Sequence, residues 1–155
     1  MSDRAGRILI VDDVPENVRL LEAMLSGQGY DLVSTTDGLA ALELAVSAKP
    51  DLVLLDVMMP PPDGLAVCRQ LRKQQETALL PVIMLTASEG SEKQTAIEAG
   101  ADDFLPKPFN RAELLARIRS LIRIKRYHDT IEAQAAELLD LNRTLDEREV
   151  PRVET

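Results

Sequence analysis

The residues of this chain that could do chemistry directly follow, or end, short apolar runs. Asp12 and Asp13 follow the first run, Asp56 follows the third, Thr86 ends the fourth and Lys107 comes after the fifth. If the runs are strands of an open α/β sheet, these residues lie where ligands bind, beyond the carboxyl ends of the strands. Three converging carboxylates repel one another unless a cation neutralises them. Oxygen ligands without nearby His or Cys favour a hard ion, so the sequence predicts an Mg²⁺ site.

The same residue types suit phosphoryl transfer. A carboxylate can attack phosphorus and form an acyl phosphate, and Asp56 is the candidate nucleophile. Lys107 would add a fixed positive charge, and Thr86 a hydroxyl donor, beside the incoming phosphoryl group. Because the transferred group is metaphosphate-like, positioning and charge neutralisation suffice, and no general base is needed.

The elements that must position these side chains follow from the apolar pattern. Five segments are predicted strands: Arg7–Val11, Asp31–Ser34, Leu52–Leu55, Val82–Thr86 and Asp103–Leu105. Apolar runs without alternation indicate a sheet covered on both faces. Residues at helical spacing fill the intervening segments, among them Val14, Leu42, Val46, Ile97 and Gly100. Alternating strands and helices predict a doubly wound α/β fold with a parallel sheet.

Composition and charge limit the possible functions. The chain has 155 residues, 45% of them hydrophobic and 28% charged, which is typical of a globular protein with a buried core. A net charge of −8 disfavours direct binding to nucleic acid or anionic lipid. No apolar run approaches the ~20 residues of a membrane span, and no signal peptide is recognisable, so we expect a cytoplasmic protein. The single cysteine, Cys68, is expected to be a small buried helix residue.

The sequence after Asn110 has a different character, because all seven glycines and eight of the nine prolines precede it. We predict a helix from Arg111 to Glu149, with Asn110 as its N-cap and Glu113 completing a capping box. Later apolar residues fit the a and d positions of a heptad repeat: Ile124, Tyr127, Ile131, Leu138, Leu141 and Leu145, with Gln134 and Arg148 at two d positions. This pattern predicts a short coiled coil; the alternative is a helix that folds back on its own domain.

Five motifs at the predicted strand ends resemble one family, the receiver domains of bacterial two-component response regulators. They are Ile10–Asp13, Leu55–Pro60 with Asp63–Gly64, Leu85–Ala87, Ala99–Phe104 and Pro106–Phe109. The resemblance covers residues 7 to about 122. It implies a flavodoxin-like sheet with strand order 2-1-3-4-5. It also implies a signalling domain rather than an enzyme, phosphorylated on Asp56 by a histidine kinase or a phosphotransfer protein.

The resemblance also implies a role for each site residue. The Mg²⁺ ligands would be Asp12, through a water molecule, together with Asp13, Asp56 and the backbone carbonyl of Met58. Lys107 would pair with the phosphoryl oxygens, and the Lys107–Pro108 peptide bond would be cis.

Thr86 and Phe104 would form the switch that responds to phosphorylation. The resemblance implies that Thr86 turns towards the phosphate and that Phe104 swings inward, which changes the face formed by the fourth helix, fifth strand and fifth helix. Two positions depart from the family pattern. Pro61–Pro62 stand where Gly is common and stiffen the loop, and Phe104 lacks the hydroxyl of the frequent Tyr, so its switch must work by packing.

We expect three segments: a receiver domain over residues 1–122, a helical coiled-coil extension over 123–150 and a tail over 151–155. The extension would join two copies in a parallel homodimer and pass the signal to an output domain outside these residues. Receivers with such helices resemble the inputs of nucleotide cyclases, cyclic dinucleotide enzymes and phosphatases.

Two other functions stay open. An Mg²⁺-dependent phosphohydrolase would use the same nucleophile, but such enzymes usually have a second Asp two residues later, where this chain has Met58. A structural dimerisation module with a degenerate site would accept no phosphoryl group. Ala87 and Ser88 offer nothing to orient a water molecule, which predicts slow self-dephosphorylation.

Several charged residues are expected to be only helix caps or solvated surface: Asp37, Asp51, Asp63, Arg119, Arg123, Lys125, Arg126 and His128.

Overall fold

The computed structural model of the chain describes residues 5–87 and 91–154, without the side chains of 91, 92 and 146–154. The chain divides into two compact units, Met1–Ile122 and Arg123–Thr155. Each unit is described by itself.

The first unit is built on a parallel sheet of five strands. The strands are β1 (Gly6–Val11), β2 (Tyr30–Thr35), β3 (Leu52–Asp56), β4 (Val82–Thr86) and β5 (Asp103–Pro106). Their order is β2-β1-β3-β4-β5, which confirms the predicted doubly wound, flavodoxin-like fold. β3 and β4 are buried along their whole length, as their unbroken apolar runs predicted.

Helices cover both faces of this sheet. They are α1 (Pro15–Leu25), α2 (Gly38–Ser47), α3 (Gly64–Lys73), α4 (Ser91–Glu98) and α5, which begins at Arg111. Asp37 and Asp63 cap α2 and α3 by accepting backbone N–H groups, as predicted. Asp51 is neither a helix cap nor solvated surface, because it precedes β3 and its partly buried carboxylate accepts the backbone N–H of Arg7 at 2.7 Å. Asn110 caps α5 through the backbone N–H of Glu113, at 2.7 Å.

Each strand sends alternate side chains into two cores. Leu9 and Val11 of β1 pack with α2, α3 and α4, whereas Ile8 and Ile10 pack with α1 and α5. Cys68 is fully buried in the first core, as predicted. Each buried large aliphatic side chain contributes about 1.5 to 3 kcal/mol. The two cores therefore hold the strand ends, and the site they carry, in place.

Four residues that were assigned to apolar helix faces lie elsewhere. Val14 is the N-cap of α1 and is 40% exposed, while Val46 and Ile97 lie on the outer faces of their helices. Gly100 follows the end of α4 and has a φ of +101°, the left-handed conformation in which glycine commonly ends a helix. Helical spacing located these helices correctly but extended their buried faces too far.

The second unit is the remainder of α5, which continues to Glu154. The predicted helix end at Glu149, with a tail after residue 150, was wrong. The helix continues past Pro151, although a proline in a helix interior removes one backbone hydrogen bond and crowds the carbonyl four residues earlier.

The side chains of this unit that the structure describes are solvent-exposed along most of its length. The apolar heptad residues are all 45% exposed or more: Ile124, Tyr127, Ile131, Leu138, Leu141 and Leu145. Lys125 pairs with Asp129 at 2.8 Å, and His128 is also exposed, as expected of a solvated helix surface. The Arg148 side chain lies outside the described residues. Within the described ranges, no helix is long and apolar enough to cross a membrane.

Candidate functional site

Three carboxylates meet at the carboxyl ends of β1 and β3. Asp12 and Asp13 follow β1, and Asp56 is the last residue of β3. One oxygen from each lies within 4.8 Å of the others. Because the two strands are adjacent and parallel, with Val11 opposite Leu55, the residues that follow them reach the same edge of the sheet. The structure thus brings together three of the residues selected from the sequence.

Lys107 completes a charged cluster with these carboxylates. Its Nζ lies 3.2 Å from Asp56 Oδ1 and 3.9 Å from Asp12 Oδ2. The backbone N–H of Lys107 donates to the carbonyl of Thr86 at 2.9 Å, which extends the pairing of β4 with β5 as far as this residue. The Lys107–Pro108 peptide bond is cis, as the family resemblance implied.

The two carboxylates nearest Lys107 are buried. The Asp12 side chain is 1% exposed and that of Asp56 is 6% exposed. Burial, and then the charge of Asp12, raise the pKa of Asp56, while the charge and hydrogen bond of Lys107 and a hydrogen bond from the backbone N–H of Met58 oppose that shift. The pKa of Asp56 is raised on balance, so the cluster holds its negative charge at a cost in free energy.

The Asp12 carboxylate shows that this cluster fits a cation. Its Oδ1 accepts the backbone N–H of Val14 at 3.0 Å and the side-chain amide of Asn17 at 3.3 Å. Its Oδ2 is buried and, among the described residues, has no hydrogen-bond partner. A buried carboxylate oxygen without a partner is unfavourable, and a hard divalent ion would satisfy it. The residues present therefore fit Mg²⁺.

The two proposed switch residues lie on the neighbouring strands. Thr86 ends β4 and is 2% exposed. Phe104 is on β5, opposite Met84 of β4, and its side chain is half-buried against the first core. Lys93 Nζ of α4 lies 5.0 Å from the centroid of the Phe104 ring. A cation at that distance attracts the ring face. Ser88, which entered the prediction of slow dephosphorylation, lies outside the described residues.

Two residues of this region were not singled out for a role from the sequence. Gly64 begins α3 so close to β3 that a Cβ there would overlap the backbone oxygen of Asp56 and lie 2.8 Å from Val57 Cα. Asn17 is in the first turn of α1, five residues after Asp12. This short separation is the sequence feature that could have indicated a contact between the two side chains. Gly64 thus allows α3 to approach the end of β3, and Asn17 donates a hydrogen bond from α1 to the Asp12 carboxylate.

Residues 8–119 match the family model of the response regulator receiver domain. The chain belongs to this family. It is 44% identical over 133 residues to response regulator PleD of Caulobacter vibrioides, covering 85% of this chain and 29% of PleD. It is 46% identical over 147 residues to response regulator MprA of Mycobacterium tuberculosis, covering 94% of this chain and 63% of MprA. The receiver chain thus spans less than two thirds of the length of either relative.

Solved receiver structures resemble this one closely. The receiver domain of the sensor histidine kinase PA1611 from Pseudomonas aeruginosa superposes with a TM-score of 0.71 at 36% identity, covering 76% of this chain and 97% of that one. That structure has a magnesium ion coordinated in its active-site cleft. Chemotaxis protein CheY4 of Vibrio cholerae gives a TM-score of 0.70 at 32% identity, covering 75% and 98% of the two chains. The receiver fold and family predicted from the sequence are confirmed.

Proposed function

We propose that this receiver domain accepts a phosphoryl group on Asp56 from a histidine kinase or a phosphotransfer protein. The observation that carries the proposal is the surroundings of Asp56: a buried carboxylate, 3.2 Å from Lys107, with Asp12 and Asp13 within 4.8 Å. Family membership supports it independently.

In the proposed reaction, an Asp56 carboxylate oxygen attacks phosphorus of a phosphohistidine. The bond from phosphorus to the imidazole nitrogen breaks, and the imidazole leaves with the electron pair. Lys107 neutralises charge on the phosphoryl oxygens and on Asp56. Asp12, Asp13, Asp56 and the backbone carbonyl of Met58 would hold Mg²⁺, which supplies further positive charge to the phosphoryl oxygens. The magnesium in the PA1611 receiver supports this assignment.

The domain is proposed to store the phosphoryl group rather than turn it over. Met58 stands where aspartyl-phosphate hydrolases usually carry an acid, and this residue is 65% exposed. A thioether has no proton to give to a leaving group, and it is too weak a base to take a proton from water. We therefore propose a signalling role, with slow self-dephosphorylation. Its cytoplasmic location stays a prediction.

The response to phosphorylation is proposed to pass through Thr86 and Phe104. The new phosphoryl oxygens offer acceptors to the Thr86 hydroxyl, and movement of Thr86 leaves space for the half-buried ring of Phe104. An inward movement of that ring separates it from Lys93, so the contact between β5 and α4 changes.

The second unit is proposed to join two copies of the chain and to relay the signal to an output domain. Its support is the exposed apolar stripe at a and d spacing. Light scattering with Mg²⁺, before and after beryllofluoride replaces the phosphoryl group, tests this proposal. A dimer in either condition, lost when Leu138 is changed to Glu, supports it; a monomer of 17.1 kDa in both conditions contradicts it.

Intact-mass spectrometry tests phosphorylation itself. The chain is incubated with acetyl phosphate and Mg²⁺, and Asp56→Asn is compared with Asp63→Asn, because Asn is as good a helix cap as Asp. The expected result is one added phosphoryl group on the wild type and on Asp63→Asn, and none on Asp56→Asn or in EDTA. An unmodified wild type would favour a degenerate structural module. Rapid multiple turnover of a small phosphate ester would favour the phosphohydrolase.

A further inference from the structure

Asn17 contacts the acidic cluster but has no role in the chemistry proposed above. It is half-buried in the first turn of α1, and its Nδ2 donates to Asp12 Oδ1 at 3.3 Å. Among the described residues, Asn17 is the only side chain that hydrogen-bonds to Asp12. Lys107 Nζ lies 3.9 Å from the same carboxylate, which is beyond hydrogen-bond distance.

The two oxygens of Asp12 are in different environments. Oδ1 has two donors, the backbone N–H of Val14 at 3.0 Å and the amide of Asn17. Oδ2, within the described ranges, has no hydrogen-bond partner although it is buried. A carboxylate with one hydrogen-bond donor can rotate about its Cβ–Cγ bond, so that its two oxygens exchange places. Two donors to the same oxygen oppose this rotation and hold the other oxygen in one direction.

We propose that Asn17 is a positioning residue for the divalent-cation site, which holds Asp12 so that Oδ2, 3.9 Å from Lys107 Nζ and without a hydrogen-bond partner among the described residues, is presented to the hydrated cation. The proposal rests on the proposed Mg²⁺-dependent function of Asp56. Hydrogen-bonding partners of metal ligands fix the orientation of those ligands, and their loss costs roughly 10- to 100-fold in metal affinity.

A cavity beside Asn17 makes clean variants available. It has a volume of about 260 Å³ and is lined by Asp12 and Lys107 of the acidic cluster as well as by Asn17, Leu20 and Phe109. Asn17→Leu has the branched shape and the number of side-chain heavy atoms of Asn but has no donor. Asn17→Ala also lacks the donor and cannot overpack. Asn17→Gln keeps the amide, and the cavity leaves room for its extra methylene.

The first experiment measures Mg²⁺ affinity of the full chain by isothermal titration calorimetry. We expect Asn17→Leu and Asn17→Ala to bind Mg²⁺ roughly 10- to 100-fold more weakly than the wild type, and Asn17→Gln to recover most of that loss. Asn142→Leu, an exposed position on α5, is the matched control and keeps wild-type affinity. Circular dichroism verifies that each variant is folded.

The second experiment measures the rate of phosphorylation by acetyl phosphate at varied Mg²⁺ concentration. Asn17→Leu is expected to raise the Mg²⁺ concentration for half-maximal rate and to leave the rate at saturating Mg²⁺ close to the wild-type rate. A residue that only stabilised the fold would not raise the half-maximal Mg²⁺ concentration while the rate at saturating Mg²⁺ stays unchanged. Wild-type Mg²⁺ affinity in folded Asn17→Leu and Asn17→Ala overturns the proposal. If the wild type itself binds no Mg²⁺, the proposed function fails with it.

Discussion

Replacing Asp56 by Asn should stabilise the metal-free protein, although most substitutions of buried residues are destabilising. Asp56 is a buried carboxylate at 6% side-chain exposure, and two further carboxylates lie within 4.8 Å of it. Asparagine has nearly the same shape and carries no charge. The substitution therefore removes the repulsion while it preserves the packing of β3.

The distances set the size of this effect. At an effective dielectric constant of about 20, two carboxylate charges at 4.8 Å, the upper limit on the separations in this cluster, repel by about 3.5 kcal/mol, and Asp56 has two neighbours within that limit. Lys107, at 3.2 Å, attracts Asp56 by about 5 kcal/mol, an upper value because that side chain is 38% exposed and screened by solvent. The variant should therefore gain about 1 to 3 kcal/mol in the free energy of unfolding.

Urea unfolding in EDTA, followed by circular dichroism, measures this difference. Because burial and the charge of Asp12 raise the pKa of Asp56 above 3.8, the folded chain holds this proton more tightly than the unfolded chain. The wild type therefore loses stability as the pH rises through the raised pKa. The advantage of Asp56→Asn should be largest at neutral pH and should shrink as the pH falls towards 4.

Magnesium provides the complementary test. At a hundred times its Kd, a ligand that binds only the folded state adds about 2.7 kcal/mol, and the wild type should gain this while Asp56→Asn gains much less. Asp140→Asn, an exposed position on α5, should remain within about 0.5 kcal/mol of the wild type in every condition. A metal-free Asp56→Asn variant that is less stable than the wild type would refute the electrostatic reasoning.

Three further predictions concern the scaffold. Gly64→Ala should lower the free energy of unfolding by about 1 to 3 kcal/mol, because its Cβ would overlap the backbone of β3; an unchanged urea midpoint contradicts this. Arg72→Met should cost about 2 to 4 kcal/mol, because Arg72 donates to the carbonyls of Leu80 at 2.6 Å and Gly100 at 2.8 Å; wild-type stability in the same assay would oppose it. Burial raises the pKa of the Cys68 thiol, so a thiol reagent should label it only after unfolding; rapid labelling of the native protein would show otherwise.

The sheet could be predicted because its signals are local. The unbroken apolar run of β3 requires cover on both faces, and the charged residues that end or follow β1, β3 and β5 then fall at one edge of the sheet. Parallel pairing places Asp12, Asp56 and Lys107 at that edge, and the lysine side chain spans the end of β4 to reach Asp56. Their individual roles came from the family resemblance, and the geometry is compatible with those roles.

The remaining details depend on tertiary contacts that no local pattern encodes. The hydrogen bond from Asn17 to Asp12 depends on how α1 leaves β1, and the close approach of Gly64 to β3 depends on how α3 packs. Val14 has the right spacing for a core residue but caps its helix, because Pro15 begins α1. A proline such as Pro151 commonly marks a helix end, and the helix nevertheless continues to Glu154.

The most direct test of the central claim locates the phosphoryl group. After reaction with acetyl phosphate and Mg²⁺, borohydride reduces an aspartyl phosphate to homoserine, and peptide mass spectrometry identifies the converted residue. We predict homoserine at position 56, dependent on Mg²⁺ and absent from Asp56→Asn. Conversion at a different carboxylate, or no conversion in a folded wild-type chain that binds Mg²⁺, would contradict the assignment of Asp56 as the phosphoryl acceptor.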